Sequence, residues 1–367
     1  MNKLLLIGDI CSDGYSTKDL ENFKCSDLGV FLSNYSGSII GNLEAPILEE
    51  DISLNKNKFS LKNPPSNSGF FDFCDVLSLA NNHIFDQGVQ GYSNTVEFLN
   101  ENSISYLGAG LDLLESRKPI FVDFEGRRIA FLAYNCYSTN SACNADMSSP
   151  GSAPLLFDFV SQDISTIKNK KQADFVIVLP HWGIENNFYP TAEQVCFARR
   201  VIDAGADAVI GSHTHTIQVN ETYKGCPIYF SLGNFLFNNF QVGSQQTYYQ
   251  SKFNKEGLMV ELVIKDNKLI AKEYFLKFNE SMLPELVDVE ELSTPILNMN
   301  LNYREKVHRL KCFSSNPELT LLLKYNGRSA QVVYFSKPVD TDLIVSCETI
   351  FAKLKRMVLY RLRKLLA

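Results

Sequence analysis

Short apolar runs alternate with polar stretches and helical patterns along most of the chain. Leu4 to Ile7, Ser38 to Ile40, Val76 to Leu79, Phe175 to Leu179 and Ala208 to Ile210 each have Gly, Pro or Asp on at least one side, and Pro227 to Phe230 opens on its own Pro. Runs this short between turn residues predict buried strands. Between them, Asp27 to Leu32, Tyr92 to Asn100, Asp158 to Asn169 and Thr191 to Ala204 repeat their apolar residues at helical spacing. Two hairpins are predicted, residues 119–124 with 127–134 across Glu125-Gly126, and 257–264 with 269–275 across Asp266-Asn267. Tyr106 to Gly108 begins a further extended piece. Residues 49 to 69 and 138 to 154 are rich in Ser, Asn and Pro and predict long loops, the first forming a rim. There is no internal repeat. Strands alternating with helices predict an α/β architecture.

The pattern changes after about residue 280. Polar helical segments and one strand candidate, Gln331 to Phe335, lead to a basic helix at the end. The expected organisation is a main domain over 1–280 and an extension over 281–367. In that last helix Phe351, Leu354, Val358, Leu362 and Leu365 make one apolar stripe. Lys353, Lys355, Arg356, Arg361, Arg363 and Lys364 surround it, with no acid from Phe351 onward. A helix of this kind can dock on its own domain or on a partner subunit, or lie in an anionic membrane interface.

Composition narrows the class. A chain of 367 residues that is 45% hydrophobic can bury a large core. A formal net charge of −6 argues against nucleic acid as a partner. Leu4 to Ile7 is too short for a secretion signal, and no run approaches a membrane span. Nine cysteines, odd in number and without a C-x-x-C pair, read as reduced thiols. The expected location is cytoplasmic, with the C-terminal helix offering peripheral contact to the inner face of the membrane.

The chemistry gathers where the apolar runs stop. Asp9, Glu44, His83, His181 and the pair His213/His215 each follow one of these runs. Ligands in α/β folds collect at the carboxyl ends of strands, so these residues predict one shared site. If the segment after Gly211 is extended, His213 and His215 point to the same side and converge on one centre. Carboxylate, amide and imidazole without a cysteine cluster favour Mn, Fe or Zn as the divalent metal. So many ligands suit one ion or two, a pair standing about 3.5–4 Å apart. Trp182 is expected to wall the site by packing.

The series Gly8-Asp9, Gly41-Asn42-Leu43-Glu44, Asn81-Asn82-His83, His181-Trp182-Gly183, Gly211 to His215 and Ser231-Leu232-Gly233-Asn234 resembles the CapA-type capsule and poly-γ-glutamate biosynthesis family, a branch of the calcineurin-like metallophosphoesterases. The resemblance covers roughly residues 1 to 275 in the family order. It implies a four-layer α/β/β/α sandwich with metal at the carboxyl edges of its sheets. It further implies Asp9 and His215 on a first metal, Glu44 bridging, and Asn82, His181 and His213 on a second. His83 matches the residue that protonates or stabilises the leaving group. Asn42 is close enough to Glu44 to compete for the bridge. Where the wider superfamily has histidine in its first motif this chain has Cys11, either a replacement thiolate or buried filler. Glu185 can touch substrate or a histidine N–H, and Asn234, read as a strand end, can bind substrate or cap a turn. Two functions follow. One is a hydrolase in which metal-bound hydroxide attacks a phosphoester of an anionic small molecule or polymer. The other is an accessory protein that binds an anionic polymer or acts on an amide bond.

Overall fold

The computed structural model describes residues 3–50, 60–139, 143–242 and 246–294, and two short antiparallel strands beyond them, Leu319–Leu322 and Gln331–Tyr334. The chain first lays down β1 (Leu4–Cys11), helices α1 (Thr17–Cys25) and α2 (Asp27–Ser33), β2 (Ser38–Leu43), β3 (Val76–Ser78), α3 (Gly88–Glu101) and β4 (Ser105–Leu107). Strands β1 to β4 are parallel neighbours in that order. It then crosses to a second sheet with β5 (Ile120–Phe124), β6 (Arg127–Asn135), α4 (Phe157–Asn169), β7 (Phe175–His181), α5 (Ala192–Asp203), β8 (Ala208–Ile210), β9 (Asn220–Tyr223) and β10 (Cys226–Tyr229). Here β6, β7, β8 and β10 are parallel, and an antiparallel hairpin closes each edge. Finally β11 (Asn234–Phe237) returns to lie parallel to the end of β1. The strands β12 (Glu256–Lys265), β13 (Lys268–Phe278) and β14 (Pro284–Val287) extend the first sheet antiparallel from β1.

The central parallel strands are buried on both faces, which is why they read as continuous apolar runs, whereas β5, β9, β13 and β14, at or near the sheet edges, keep exposed positions. Alternation along β1 divides its side chains between two cores. Leu4 and Leu6 join Ile40 and Val76 against Phe131, Ile177 and Ile210 of the second sheet. Leu5 and Ile7 face the other way, onto Phe23 of α1, Leu28 of α2 and Leu99 of α3. In the second sheet, Leu132, Val176 and Val178 turn from the first sheet to Val160 of α4 and Val201 of α5. The layers are therefore α/β/β/α.

Several elements differ from expectation. The polar segment before Asp27 forms α1, held by a capping box between Ser16 and Asp19 and burying only Phe23. With one apolar anchor it carries no helical period. The segment 49–69 is not wholly rim. Pro65–Phe70 is a 3-10 helix, Phe70 is fully buried, and the Asn63 side chain binds the Ser12 N–H and the Ala45 carbonyl. Past residue 280 the first sheet gains β14, and the buried Glu256 carboxylate then accepts from the N–H groups of Ser293 and Thr294. The basic helix expected from Phe351 lies outside the described residues. Among the described residues no helix is long and apolar enough to cross a membrane.

Candidate metal centre

The carboxyl ends of β1, β2, β7 and β8 meet at one edge between the sheets. Asp9 lies near the end of β1, Glu44 directly follows β2, and His181 is the last residue of β7. His213 and His215 follow β8, and Asn82 and His83 follow β3. Two groups of ligand atoms form there, a first of Asp9 with Glu44 and His215 and a second of Glu44 with His181 and His213, each with its atoms within 4.8 Å of one another. Glu44 belongs to both.

His213 and His215 do not converge through strand alternation. Their φ angles are +96° and +54°, so the chain is coiled left-handed at both positions and each ring turns into a different group. Such backbone is unfavourable for histidine and persists only where surrounding structure holds it. Here the His213 N–H donates to Asp9 Oδ2 at 3.1 Å, and Asn254 Nδ2 donates to the His215 carbonyl at 2.9 Å.

Around the second group, His181 Nε2 lies 2.8 Å from Asn82 Oδ1, 3.1 Å from His213 Nδ1 and 3.7 Å from Glu44 Oε1. Its Nδ1 is 2.8 Å from Ser212 Oγ, a contact that fixes the ring. In the first group, His215 Nε2 is 3.5 Å from Glu44 Oε1 and Nδ1 is 3.7 Å from Asp9 Oδ2. His215 Nδ1 also meets Asn234 Oδ1 at 2.9 Å.

The electrostatics are those of a cation site. Both Glu44 carboxyl oxygens are buried without a hydrogen-bond partner, as is Asn82 Nδ2. Burial pushes the Glu44 carboxyl well above the usual carboxylate range, and the neighbouring Asp9 charge adds to this. Burial raises Asp9 as well, opposed by His215, Asn42 and the His213 N–H. His181 and His213 are held well below the usual imidazole range by burial and neighbouring rings. Neutral imidazoles keep lone pairs to give, and a buried bare carboxylate is stable only beside a positive charge. The residues present therefore fit a divalent ion.

Three expected candidates are placed differently. Cys11 is buried with Ala45, Leu61 and Phe237, and its thiol faces the Lys62 carbonyl at 3.9 Å. Burial pushes that thiol far above its usual range, and Cys11 belongs to neither ligand group. Asn42 does not compete with Glu44, because its Nδ2 donates to Asp9 Oδ1 at 2.8 Å and so orients that carboxylate. Asn234 opens β11 instead of ending β10. Gly233, at φ +71°, turns the chain from one sheet to the other just before it. The Gly233 carbonyl accepts from Asp9 N at 3.0 Å and stands where a Cβ on Gly8 would be, 2.1 Å away, so Gly8 must be glycine. Glu185 is half-buried outside both groups, with its charge felt by Glu44. Trp182 packs as a wall, stacked on Phe230 with its N–H on the Phe230 carbonyl at 2.9 Å.

Sequence reasoning passed over the residues that support the site. Asp86 Oδ2 lies 2.7 Å from His83 Nδ1 and also accepts from Leu61 N. Asn81 Oδ1 accepts from the N–H groups of His83 and Ile84, and Asn81 Nδ2 donates to the Leu43 carbonyl, tying the turn after β3 to the end of β2. Asn254 binds His215 and Asn234 together. The spacing Asn82-His83-x-x-Asp86 was the one signal that could have exposed Asp86.

Comparison with known proteins extends these findings. The family model described as bacterial capsule synthesis protein PGA_cap matches residues 3–239. The chain is 31% identical over 281 residues to capsule biosynthesis protein CapA of Bacillus anthracis, covering 72% of this chain and 64% of that protein. It is 32% identical over 244 residues to PGA biosynthesis protein CapA of Bacillus subtilis (strain 168), covering 63% of this chain and 62% of that one. The chain thus spans less than two thirds of either relative's length. Among solved structures, a phosphatase from Mycoplasma pneumoniae is similar at a TM-score of 0.46 and 15% identity, over 81% of this chain and 98% of that one. The matched span contains every member of both ligand groups, together with His83 and Asn234. The chain belongs to the family of bacterial capsule synthesis proteins that this model describes.

Proposed function

We propose that this chain is a metal-dependent hydrolase of the phosphoesterase kind, serving the assembly of an anionic surface polymer. One observation carries the reading: Glu44 is buried, bare at both oxygens and shared by two ligand groups. Folding alone gives no reason to keep a carboxylate there. Asp9, Glu44 and His215 would hold one divalent ion, and Glu44, Asn82, His181 and His213 another. Ions so held would supply polarisation of a phosphoryl oxygen and a lowered pKa for a water beside it. The protein's own groups do the rest. Asp86 Oδ2 stands 2.7 Å from His83 Nδ1 and orients the ring; as an imidazolium, with Nδ1–H on Asp86, His83 can give its Nε2 proton to the departing oxygen. Asn42 and the His213 N–H keep the Asp9 carboxylate in place.

A second reading has its own support. With Cys11 turned away, the group around Asp9 holds a single imidazole. A weakly held ion there suits an accessory protein that binds an anionic polymer or acts on an amide bond. Hydrolysis of an aryl phosphate by the purified chain with Mn²⁺ separates the two. The hydrolase reading expects turnover that falls roughly 10²–10⁴-fold in His83→Ala while metal content holds. A metal-loaded chain without turnover would favour the accessory role.

A further inference from the structure

The first ligand group holds a single imidazole, His215, so the ring nitrogen that carries its proton decides which lone pair the group can offer an ion. Two buried amides, Asn234 and Asn254, determine this. The Asn254 side chain can sit only one way round. Its Oδ1 accepts from Ser251 N at 3.1 Å, and its Nδ2 donates to the His215 carbonyl at 2.9 Å and to Asn186 Oδ1 at 2.8 Å. A backbone N–H only donates and a carbonyl only accepts, so this amide cannot be turned over. The Asn254 backbone carbonyl in turn accepts from Asn234 Nδ2 at 2.9 Å. That contact fixes the second amide as well, and it turns Asn234 Oδ1 to His215 Nδ1, 2.9 Å away.

An amide oxygen offers lone pairs and no hydrogen, so the ring nitrogen facing it must be the one that carries the hydrogen. The neutral His215 ring is then the tautomer with its hydrogen on Nδ1 and its lone pair on Nε2. Nε2 is the nitrogen 3.5 Å from Glu44 Oε1, on the carboxylate that both groups share. The three residues close a circuit across separate segments of the chain: Asn254 holds the His215 carbonyl, His215 meets Asn234, and Asn234 holds Asn254. The circuit also ties down the left-handed backbone at His215, whose φ is +54°. His181 differs. Its Nδ1 meets Ser212 Oγ, a hydroxyl that can donate or accept, so that contact does not dictate a tautomer.

We infer that Asn254 is a positioning residue of the first group: through Asn234 it keeps the His215 hydrogen on Nδ1 and so presents Nε2 to a cation. The inference rests on the two-cation reading above. Two measurements on the full-length chain test it. Long-range proton–nitrogen NMR of chain labelled at histidine, with His215 assigned by His215→Gln, reads the tautomer. Metal-free wild type should carry the hydrogen of neutral His215 on Nδ1, and added Zn²⁺ should shift the Nε2 resonance. A hydrogen on Nε2, or a Zn²⁺ shift at Nδ1 in place of Nε2, would overturn the inference. Dialysis against a series of Mn²⁺ concentrations reads the consequence. Asn254→Asp sets a carboxylate oxygen against the His215 carbonyl and should weaken one of two ions about 10–100-fold, leaving the other as tight as in wild type. Asn186→Gly removes only the other partner of Asn254 Nδ2 and should keep both ions. An Asn254→Asp chain that binds both as wild type does would overturn the inference, and if that variant does not fold the wild-type tautomer decides alone. Wild type with the hydrogen on Nδ1 that binds no metal would support the tautomer and overturn the two-cation reading alone.

Discussion

Glu44 shows how a single residue can carry the meaning of a site. Its carboxylate is bare, buried and shared, and its neighbours are arranged as donors to a cation. Asp9, Glu44, Asn82, His181, His213 and His215, which the structure brings together, could be singled out as candidates because each follows a run of apolar residues, where a polar side chain has little structural reason to be. Asp86, Asn81 and Asn254 were not legible, since they act through single hydrogen bonds that leave no period in the sequence. Cys11 misled because, two residues on from Asp9, simple alternation would set it on the same side, whereas the register of β1 shifts between Asp9 and Ile10 and the thiol faces the Lys62 carbonyl. Asp86 gives the prediction at this scale. Asp86→Asn should keep bound metal and KM but lower kcat about 10–100-fold, because His83 loses the carboxylate that orients it. Steady-state kinetics beside elemental analysis would check this. A loss of metal would mean that Asp86 serves the ligand groups and not His83.

Between the residue and the fold lie the turns that aim these side chains. The strands were legible as short apolar runs because both sheet faces are covered, and the helices α3, α4 and α5 because each buries a stripe. The left-handed turn through His213 and His215 was not, since no local pattern announces positive φ at a histidine. The crossing at Gly233 was missed for a related reason. Ser231 to Phe235 reads as one strand end, whereas the backbone leaves the second sheet there and joins the first. A Cβ on Gly233 would stand 2.9 Å from the Glu256 carbonyl oxygen and 3.0 Å from Ile217 N, at a φ of +71°. Gly233→Ala should therefore destabilise the fold by about 1–3 kcal/mol, read from urea unfolding. It should also weaken metal binding, because the Gly233 carbonyl accepts from Asp9 N and Gly233 directly precedes Asn234, whose Oδ1 lies 2.9 Å from His215 Nδ1.

Taken whole, the molecule gathers the carboxylates and imidazoles of both ligand groups where its two sheets meet, which is where the carboxyl ends of parallel strands collect ligands. The four layers follow from three apolar cores. What the sequence adds beyond them is the basic amphipathic segment from Phe351, outside the described residues. We propose peripheral contact of this segment with anionic membranes, as its cations would each add about 1 kcal/mol near such a surface. Full-length chain should co-sediment with anionic vesicles at low salt, and truncation before Phe351 should abolish this without changing metal content. Equal sedimentation of the two forms would assign the segment to packing on protein instead. The central claim, two cation sites sharing Glu44, is tested most directly by equilibrium dialysis against Mn²⁺, Fe²⁺ or Zn²⁺ followed by elemental analysis. Wild type should take up metal, and both Glu44→Gln and His213→Ala/His215→Ala should retain almost none, since each change strikes both groups. Wild-type chain that binds none of the three ions, or a Glu44→Gln variant that binds as much as wild type, would contradict the account.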